Sequence, residues 1–555
     1  MSEALRSGVT DRPWLGSYPP GMPSENQPAF TDMLALFAAT VEAHGSDDAI
    51  RYFDGTLTFD ELQARSDAFA VHLLAHGLSA GDRVALYLQN NPSFVIALLG
   101  AWKAGGAAVV VNPMYRQREV GYLLADSGAT VLVCLDELYD VVTDIVRGGE
   151  TRLRHVVVSS PRDDQRRDDE RILPADAPLD NIVRFRDATD ASDRKPPLAH
   201  PEPDDVAVLM YTSGTTGKPK GAMITHRGLA FSSQTYRDWI GIGPEDRILG
   251  VAPLFHITGL VGHVGAGLLT GAALILNHRF DPTVLLELIR EHRPTFTVGS
   301  ITVFNNLASR SDISPHDFSS FRAVFSGGAP IAPALRDTIR DRTGISLHNF
   351  YGMTETTSPA IGVPLGDAGR VDPLSGALSI GIPVFNTTAR IIDENRRELP
   401  PGEIGEIAIS GPQVVPAYWE RPEESAEKIA SGEIATGDVG FMDEDGWFYL
   451  VDRKSDMIIA AGYKVWPREV EDVLYTHPAV REAAVVGVPD EYRGETVKAF
   501  ISLKPGSTCT AEEIIEFCKS QMAAYKYPRL VEFSNDLPKA VTGKILRREL
   551  RAPSK

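Results

Sequence analysis

Cysteine is scarce. The 555 residues contain three, Cys134, Cys509 and Cys518, with no CxxC pair among them. That excludes a disulfide-stapled scaffold and a thiolate zinc module. The three read as small buried hydrophobes in a chain suited to a reducing cytoplasm. Positive charge is also in short supply: 55 Lys and Arg face 74 Asp and Glu, for a net charge of −19. Binding a nucleic-acid backbone needs clustered cations, so a broad nucleic-acid surface is excluded, although a local anion site is not. Residues 1–23 lack the apolar core of a signal peptide, and the final Ala-Pro-Ser-Lys lacks the Ser-Lys-Leu peroxisome address. Charge is missing altogether from Leu249–Leu276, a run longer than the ~20 residues that span a bilayer. It carries Pro253, His256, His263 and six glycines, however, and reads as a buried helix followed by a buried strand, Ala272–Leu276. No transmembrane segment and no repeat period is expected.

What remains is ordinary globular composition, 43% hydrophobic and 23% charged. At roughly 100–200 residues per domain, about three to five structural units are expected. Thr58-Phe-Asp-Glu61 is a capping box opening a helix with Leu62, Phe69 and Leu73 on one face and Gly77 at its end. Strand Val84–Leu88, a helix capped by Asn91 with Pro92 first, and strand Ala107–Val111 follow. That spacing implies a right-handed parallel crossover. Similar units recur at Val206–Met210, Ala272–Leu276, Thr295–Val298 and Ala323–Phe325, so the bulk is α/β. The mixed charge run Pro161–Arg171 reads as a solvated connection. From Thr388 to Ser410, short strands with Gly and Pro turns suggest a small β unit. After a charged link, Asp452–Asp456, the pattern becomes that of a separate α+β domain: helix Pro467–Thr476, strands Ala483–Val488 and Lys498–Leu503, and a helix capped by Thr510 with Glu513.

The segment Tyr211-Thr-Ser-Gly-Thr-Thr-Gly-Lys-Pro-Lys-Gly221 holds the most chemistry. It follows an apolar strand and packs three glycines, four hydroxyls and two lysines into one loop. Glycines let backbone N–H groups approach an anion; Thr212, Ser213, Thr215 and Thr216 add hydroxyls, and Lys218 and Lys220 add positive charge. A polyphosphate suits it. A Walker A loop does not: only two residues separate Gly214 from Gly217, and Pro219 follows Lys218. From composition alone, a Gly/Ser surface loop stays open.

This run resembles the phosphate loop of the adenylate-forming superfamily, which contains acyl-CoA synthetases, luciferases and peptide-synthetase adenylation domains. Further signatures stand in family order: Ser326-Gly-Gly-Ala-Pro330, Asn349-Phe-Tyr-Gly-Met-Thr-Glu355, Thr436-Gly-Asp438, Asp452-Arg453, Gly462-Tyr-Lys464 and Gly543-Lys544. The resemblance covers roughly residues 30 to 550. It implies a large adenylation domain (1–452) of parallel-sheet subdomains plus the small β unit, a hinge (453–456), and a small mobile domain (457–555) carrying the catalytic lysine. It also implies ATP, Mg²⁺ and CoA, with a small carboxylic acid as the partner substrate. Residue by residue, Thr354 matches a phosphate donor and Glu355 the Mg²⁺ ligand. Tyr351 matches the aromatic that stacks on adenine, flanked by Gly327, Gly328, Ala329, Asn349 and Gly352. Asp438 matches the ribose acid, and Arg453 a ribose or phosphate contact. Lys544 matches the lysine of the first half-reaction, and Gly462 the glycine of the second. Ser455 stands at the hinge, where the family usually has Asp or Lys. Tyr463, Lys464 and Arg493 are candidate CoA contacts.

Pro253-Leu-Phe-His256 puts His where peptide-synthetase domains have Asp, which disfavours an amino acid substrate. His256 reads either as a lining residue of the carboxylate or acyl site or as a packed core histidine. Small residues in Val298–Thr302 could border an apolar acyl pocket. The stretches Trp14–Pro19, Gly462–Glu471 and Val488–Lys498 look most like bacterial long-chain fatty acid–CoA ligases. A medium-chain or aryl acid, an acyl-AMP ligase serving a separate carrier protein, and a homodimer all stay open.

Overall fold

The structure is a computed structural model, and it describes residues 12–190, 195–196, 199–212, 218–373, 376–460, 463–490, 493–540 and 543–551. The capping box at Thr58 forms as its residues dictate. The Thr58 hydroxyl accepts from the Glu61 amide (3.2 Å), and the Glu61 carboxylate accepts from the Thr58 amide (2.8 Å). The helix runs Phe59–Ala75 with Leu62, Phe69 and Leu73 buried. Asn91 caps Pro92–Lys103, whose residues from Pro92 to Trp102 are all buried. Strands Arg83–Tyr87 and Ala107–Val110 on either side pair in parallel, Val84 opposite Ala108.

They belong to a seven-stranded sheet that also takes in Val131–Leu135, His155–Ser159, Val183–Arg184 and Val206–Thr212 in parallel. Its last strand, Lys220–Thr225, is antiparallel to Val206–Thr212. A second sheet sets Asp48–Tyr52, Ala273–Leu276, Arg247–Leu249, Phe296–Gly299, Ala323–Ser326 and Leu347–Tyr351 side by side in parallel. These strands are almost wholly apolar because both faces of a parallel sheet are covered. The β unit expected around Thr388–Ser410 is present and joined to the large sheet. It continues the second sheet through antiparallel strands Ile361–Gly362, Ser379–Pro383, Phe448–Arg453, Glu433–Met442, Gly405–Ser410 and Thr388–Ile392.

The charge-free run Leu249–Leu276 is buried as expected. It forms a short helix, a π-helical turn Leu260–Gly265, the helix Ala266–Thr270 and strand Ala273–Leu276. Among the described residues no helix is long and apolar enough to cross a membrane. Glycine is needed here for close packing: a Cβ on Gly262 would lie 2.8 Å from both the Tyr236 ring and Val298.

The charge run Pro161–Arg171 differs from the solvated connection expected. Asp54 accepts the amides of Arg166 and Arg167 (2.9 and 3.0 Å), Arg65 pairs with Asp164, and Arg171 pairs with both Asp169 and Glu287. Ile172 and Leu173 just beyond it are buried. The run is therefore held by Asp54, Arg65 and Glu287, 99 to 116 residues away in sequence, which periodicity could not reveal.

The C-terminal residues form their own sheet around the long hairpin Val480–Asp490/Gly494–Leu503, with Val485 opposite Ala499. The strands run longer than their apolar cores because cross-strand pairing extends them into polar residues. Helices Pro467–Tyr475 and Ala511–Gln521 cover this sheet, the second capped by Thr510 with Glu513. Ile458, Val465, Val470, Leu474, Ile501, Ile514 and Cys518 make a core of their own. All three cysteines are free; Cys134 and Cys518 are buried.

Arg547 ties this unit to the link before it. Its guanidinium donates to Asp452 (2.7 Å), Asp456 (3.1 Å) and both oxygens of Glu471 (3.0 and 2.6 Å). Only 4% of the Asp452 side chain and 13% of the Glu471 side chain are exposed. Removing the cation leaves these carboxylates uncompensated, which costs about 3 kcal/mol for a mostly buried pair. Arg547→Ala should therefore speed hydrogen exchange across residues 463–551 while leaving the seven-stranded sheet unchanged. Equal protection in both variants would show that Arg547 carries no such load.

Candidate functional site

The phosphate-loop candidate leaves the end of strand Val206–Thr212, as its sequence implied, and returns on a strand rather than a helix. Thr212 lies opposite Lys220 and Tyr211 opposite Gly221. Ser213, Gly214, Thr215 and Thr216 lie outside the described residues, and so does Gly462. The base of this hairpin is held on both sides. The Tyr211 hydroxyl donates to Asp126 (2.7 Å), and Tyr122 donates to the Pro219 carbonyl (2.9 Å). The amides of Met223 and Trp419 donate to Ala417 and Gly221 (3.1 and 2.7 Å). Lys218 lies 5.4 Å from the Tyr122 ring centroid and Lys220 5.6 Å from that of Tyr418, where the ring faces attract a cation.

Behind the hairpin, strand Leu347–Tyr351 ends in a 3-10 turn, Thr354–Thr356. Thr354 is half-buried; Glu355 is buried and takes the Tyr418 hydroxyl on Oε1 at 2.7 Å. Its Oε2 accepts no hydrogen bond among the described residues. Burial, and then the Glu355 charge, push the Tyr418 phenol far above its ordinary range, so it stays a donor. The turn thus supplies two hard oxygen donors, the Thr354 hydroxyl and a Glu355 carboxylate oxygen that takes no hydrogen bond among the described residues. That donor set suits Mg²⁺.

Tyr351 is the hub of a second group. Its hydroxyl donates to Asp438 Oδ2 (2.8 Å), and the Arg453 Nε lies 3.2 Å from Oδ1. Asp438 and Arg453 are cross-strand partners, which is why residues fifteen apart meet. Gly327, Gly328 and Ala329 follow the parallel strand next to Leu347–Tyr351; a Cβ on Gly327 would lie 3.1 Å from the Phe350 carbonyl. The Asn349 amide donates to the Ser379 carbonyl (2.9 Å), bracing the sheet. Gly352 packs against the Ser358–Pro359 backbone, 3.3 Å from a Cβ placed there.

Lys544 reaches this group from the C-terminal unit. The turn before it is docked on the large sheet's side: the Thr302 hydroxyl donates to the Gly543 carbonyl at 2.8 Å. Gly543 has φ +78°, and a Cβ on it would lie 2.7 Å from the Ser300 hydroxyl and 2.8 Å from Thr302. Both the backbone angle and the close approach demand glycine. Burial, with Arg453 adding repulsion, pulls the Lys544 ammonium down from 10.5 to about 8, while Asp438 opposes. Thr302 thus serves the lysine turn, where its sequence had suggested only the wall of an acyl pocket.

His256 follows the Pro253–Phe255 turn, its ring tilted 46° to that of Phe255 at 5.1 Å. Its Nε2 is buried with no partner among the described residues, and burial pulls the imidazole down to about 4, so it is neutral at pH 7. His263, on the π-helical turn, instead pairs its Nε2 with the Val298 carbonyl at 3.0 Å.

Tyr418 and Thr302 escape a reading by motif. Tyr418 is 63 residues from Glu355 and Thr302 is 241 from Gly543, and only folding makes them neighbours.

The sequence model of the family described as AMP-binding enzyme matches residues 37–419, and that of the AMP-binding enzyme C-terminal domain matches 469–544. The chain is 36% identical over 556 residues to a long-chain-fatty-acid–CoA ligase from Bacillus subtilis, covering 98% of each. It is also 36% identical over 503 residues to a feruloyl-CoA synthase from Amycolatopsis, covering 91% of this chain and 95% of that one. The crystal structure of ATP-bound MatB from Rhodopseudomonas palustris aligns with a TM-score of 0.82 at 29% identity, over 94% of this chain and 98% of that one. The fold and the ordered motifs define an adenylate-forming enzyme. The chain belongs to the AMP-binding enzyme family.

Replacing Gly543 with Ala should push the lysine turn off Ser300 and Thr302. Exchange of the Gly543 and Leu546 amides should speed up by about tenfold, a local loss of ~1.4 kcal/mol. Unchanged exchange would mean the turn is not held by that contact.

Proposed function

We propose that the protein is an ATP-dependent acid–CoA ligase that makes acyl-CoA, AMP and diphosphate through an acyl-adenylate. What supports this reading is the Gly543–Thr302 contact, with Lys544 next to it within electrostatic reach of Asp438 and Arg453. In the first half-reaction a carboxylate oxygen attacks the α-phosphorus of ATP and the bond to the bridging oxygen breaks, releasing diphosphate. In the second, the CoA sulfur attacks the acyl carbon, AMP leaves with the mixed-anhydride oxygen, and the thiol proton goes to solvent.

The first step crowds negative charge, so cations and oriented donors matter more than a base. Lys544 bridges the acid's carboxylate and the α-phosphate. Thr354 donates to a phosphate oxygen, and Thr212, Ser213, Gly214, Thr215, Thr216, Lys218 and Lys220 hold the β- and γ-phosphates. Tyr351 stacks on adenine, between Gly327–Ala329 and Gly352, with Asn349 bracing the strand beneath. Asp438 accepts from the ribose diol; each carboxylate oxygen has a second lone-pair site beyond those used by Tyr351 and Arg453. Glu355 would hold Mg²⁺, which when bound neutralises phosphate charge. Gly462 leaves room for pantetheine in the second step, after a rotation about Lys454–Asp456.

Favoured as substrate is a medium- or long-chain fatty acid, given the near-full-length likeness to a fatty acid ligase. The equal identity to a feruloyl-CoA synthase makes an aryl acid the second reading. His256, being neutral, can offer a hydrogen bond to the acid but no charge. The test is incubation with ATP, Mg²⁺, CoA and a panel of fatty and aryl acids, with products identified by mass. AMP with a fatty acyl-CoA is the expected result. Acyl-AMP alone would move the reading to loading of a carrier protein, and ADP would overturn it.

Lys544→Ala should slow adenylate formation about 10²–10³-fold while sparing thioester formation from supplied acyl-AMP. Equal loss in both would sink the assignment. The active form is the ammonium, which is lost as pH rises through its folded value of about 8. The kcat/KM for adenylation, which reports the free enzyme, should therefore fall above pH 8, and the reaction from supplied acyl-AMP should lack that limb.

A further inference from the structure

Three histidines on the seven-stranded sheet's side of the molecule take no part in the chemistry above. His72 and His76 lie one turn apart on the helix Phe59–Ala75 and its C-terminal cap, hence on one face. His155 begins the strand His155–Ser159. One ring nitrogen from each lies within 4.8 Å of the other two. The His72 and His155 Nε2 atoms are 2.8 Å apart.

We propose that His72, His76 and His155 form a binding site for a late first-row divalent ion such as Zn²⁺, which clamps the end of the helix to the sheet. Nε2 atoms bound to one such ion, at about 2.0–2.1 Å each, lie about 2.9 Å apart at cis positions of an octahedron and about 3.3 Å apart in a tetrahedron. The His72–His155 separation is therefore within half an ångström of a chelating pair. His76 is exposed, with its ring stacked 4.1 Å from that of His155 at 14°. To point a nitrogen at the ion it turns its own exposed ring and gives up part of that stacking on His155.

The chemistry of the cluster favours an ion over protons. Imidazole nitrogen suits zinc, copper and nickel and is a poor ligand for Mg²⁺. Burial, and then the neighbouring His76 and His155, pull His72 down to about 4; burial and His76 also lower His155. A metal ligand must offer a neutral imidazole, and the downward shift of both rings favours that form. His76 Nδ1 lies 2.8 Å from the His72 carbonyl; donating there puts that ring's proton on Nδ1 and leaves Nε2 as a lone pair. Phe69 stacks on His72 at 6.2 Å and 10° and holds that ring in place. The elements involved carry none of the residues assigned to ATP, acid or CoA, so the site is separate from catalysis.

The test uses the full chain stripped with chelator. Equilibrium dialysis against Zn²⁺ in excess Mg²⁺ should give one bound Zn²⁺ per chain, and Co²⁺ should show a d–d absorption band that Zn²⁺ removes. Zn²⁺ should raise the melting temperature by about 2 °C or more. His76→Gln and His155→Gln should each lose the bound equivalent and the shift, and His76→Gln should keep acyl-adenylate formation unchanged. His76 is exposed, so its variant stays folded even where His155→Gln does not. No stoichiometric Zn²⁺, or binding that survives His76→Gln undiminished, would overturn the proposal.

Discussion

The placement of Lys544 depends on one contact: the Gly543 carbonyl accepting from Thr302 across two separately packed units. Each unit has its own core, and their cores alone do not fix how they meet. The turn fits only because residue 543 has no side chain and can hold a positive φ. Lys544 follows directly, so its burial and its depressed ammonium both derive from that dock. A lysine at this place is expensive to bury without an anion.

Charge is handled in the same way elsewhere in the site. Glu355 and Asp438 are buried acids, and each takes a tyrosine hydroxyl, from Tyr418 and Tyr351. The neutral donor holds Glu355 without cancelling its charge, whereas Asp438 also faces the Arg453 cation at 3.2 Å. The cations nearby, Lys218 and Lys220, rest against ring faces rather than in tight ion pairs. They keep most of their attraction for phosphate. Arg547 is the contrast: it is fully committed to Asp452, Asp456 and Glu471, and serves structure.

Much of the fold was legible in local chemistry. The capping box at Thr58, the Asn91–Pro92 start and the Thr510–Glu513 cap each begin a helix where side chain and backbone must satisfy one another. Apolar runs of four or five residues mark the parallel strands, because both of their faces are buried. Legibility failed where the partner is distant. The run Pro161–Arg171 reads as solvated because its charges are visible and Asp54 and Glu287 are not nearby in sequence. The strands from Thr388 read as a small β unit, but nothing local announces that Ser379–Pro383 joins them to the large sheet.

By itself the sequence determined the α/β class, the ordered motifs and the residue types able to hold a nucleotide, since these depend on periodicity, caps and short spacings. It left His256 undecided between the acyl site and the core. Only the tertiary structure decided that Tyr418 orients Glu355, that Thr302 receives the lysine turn, and that His72, His76 and His155 converge. Those pairings join residues 63, 241 and 83 positions apart. Contacts at such range are set by which faces pack together, and no local pattern of residues encodes that.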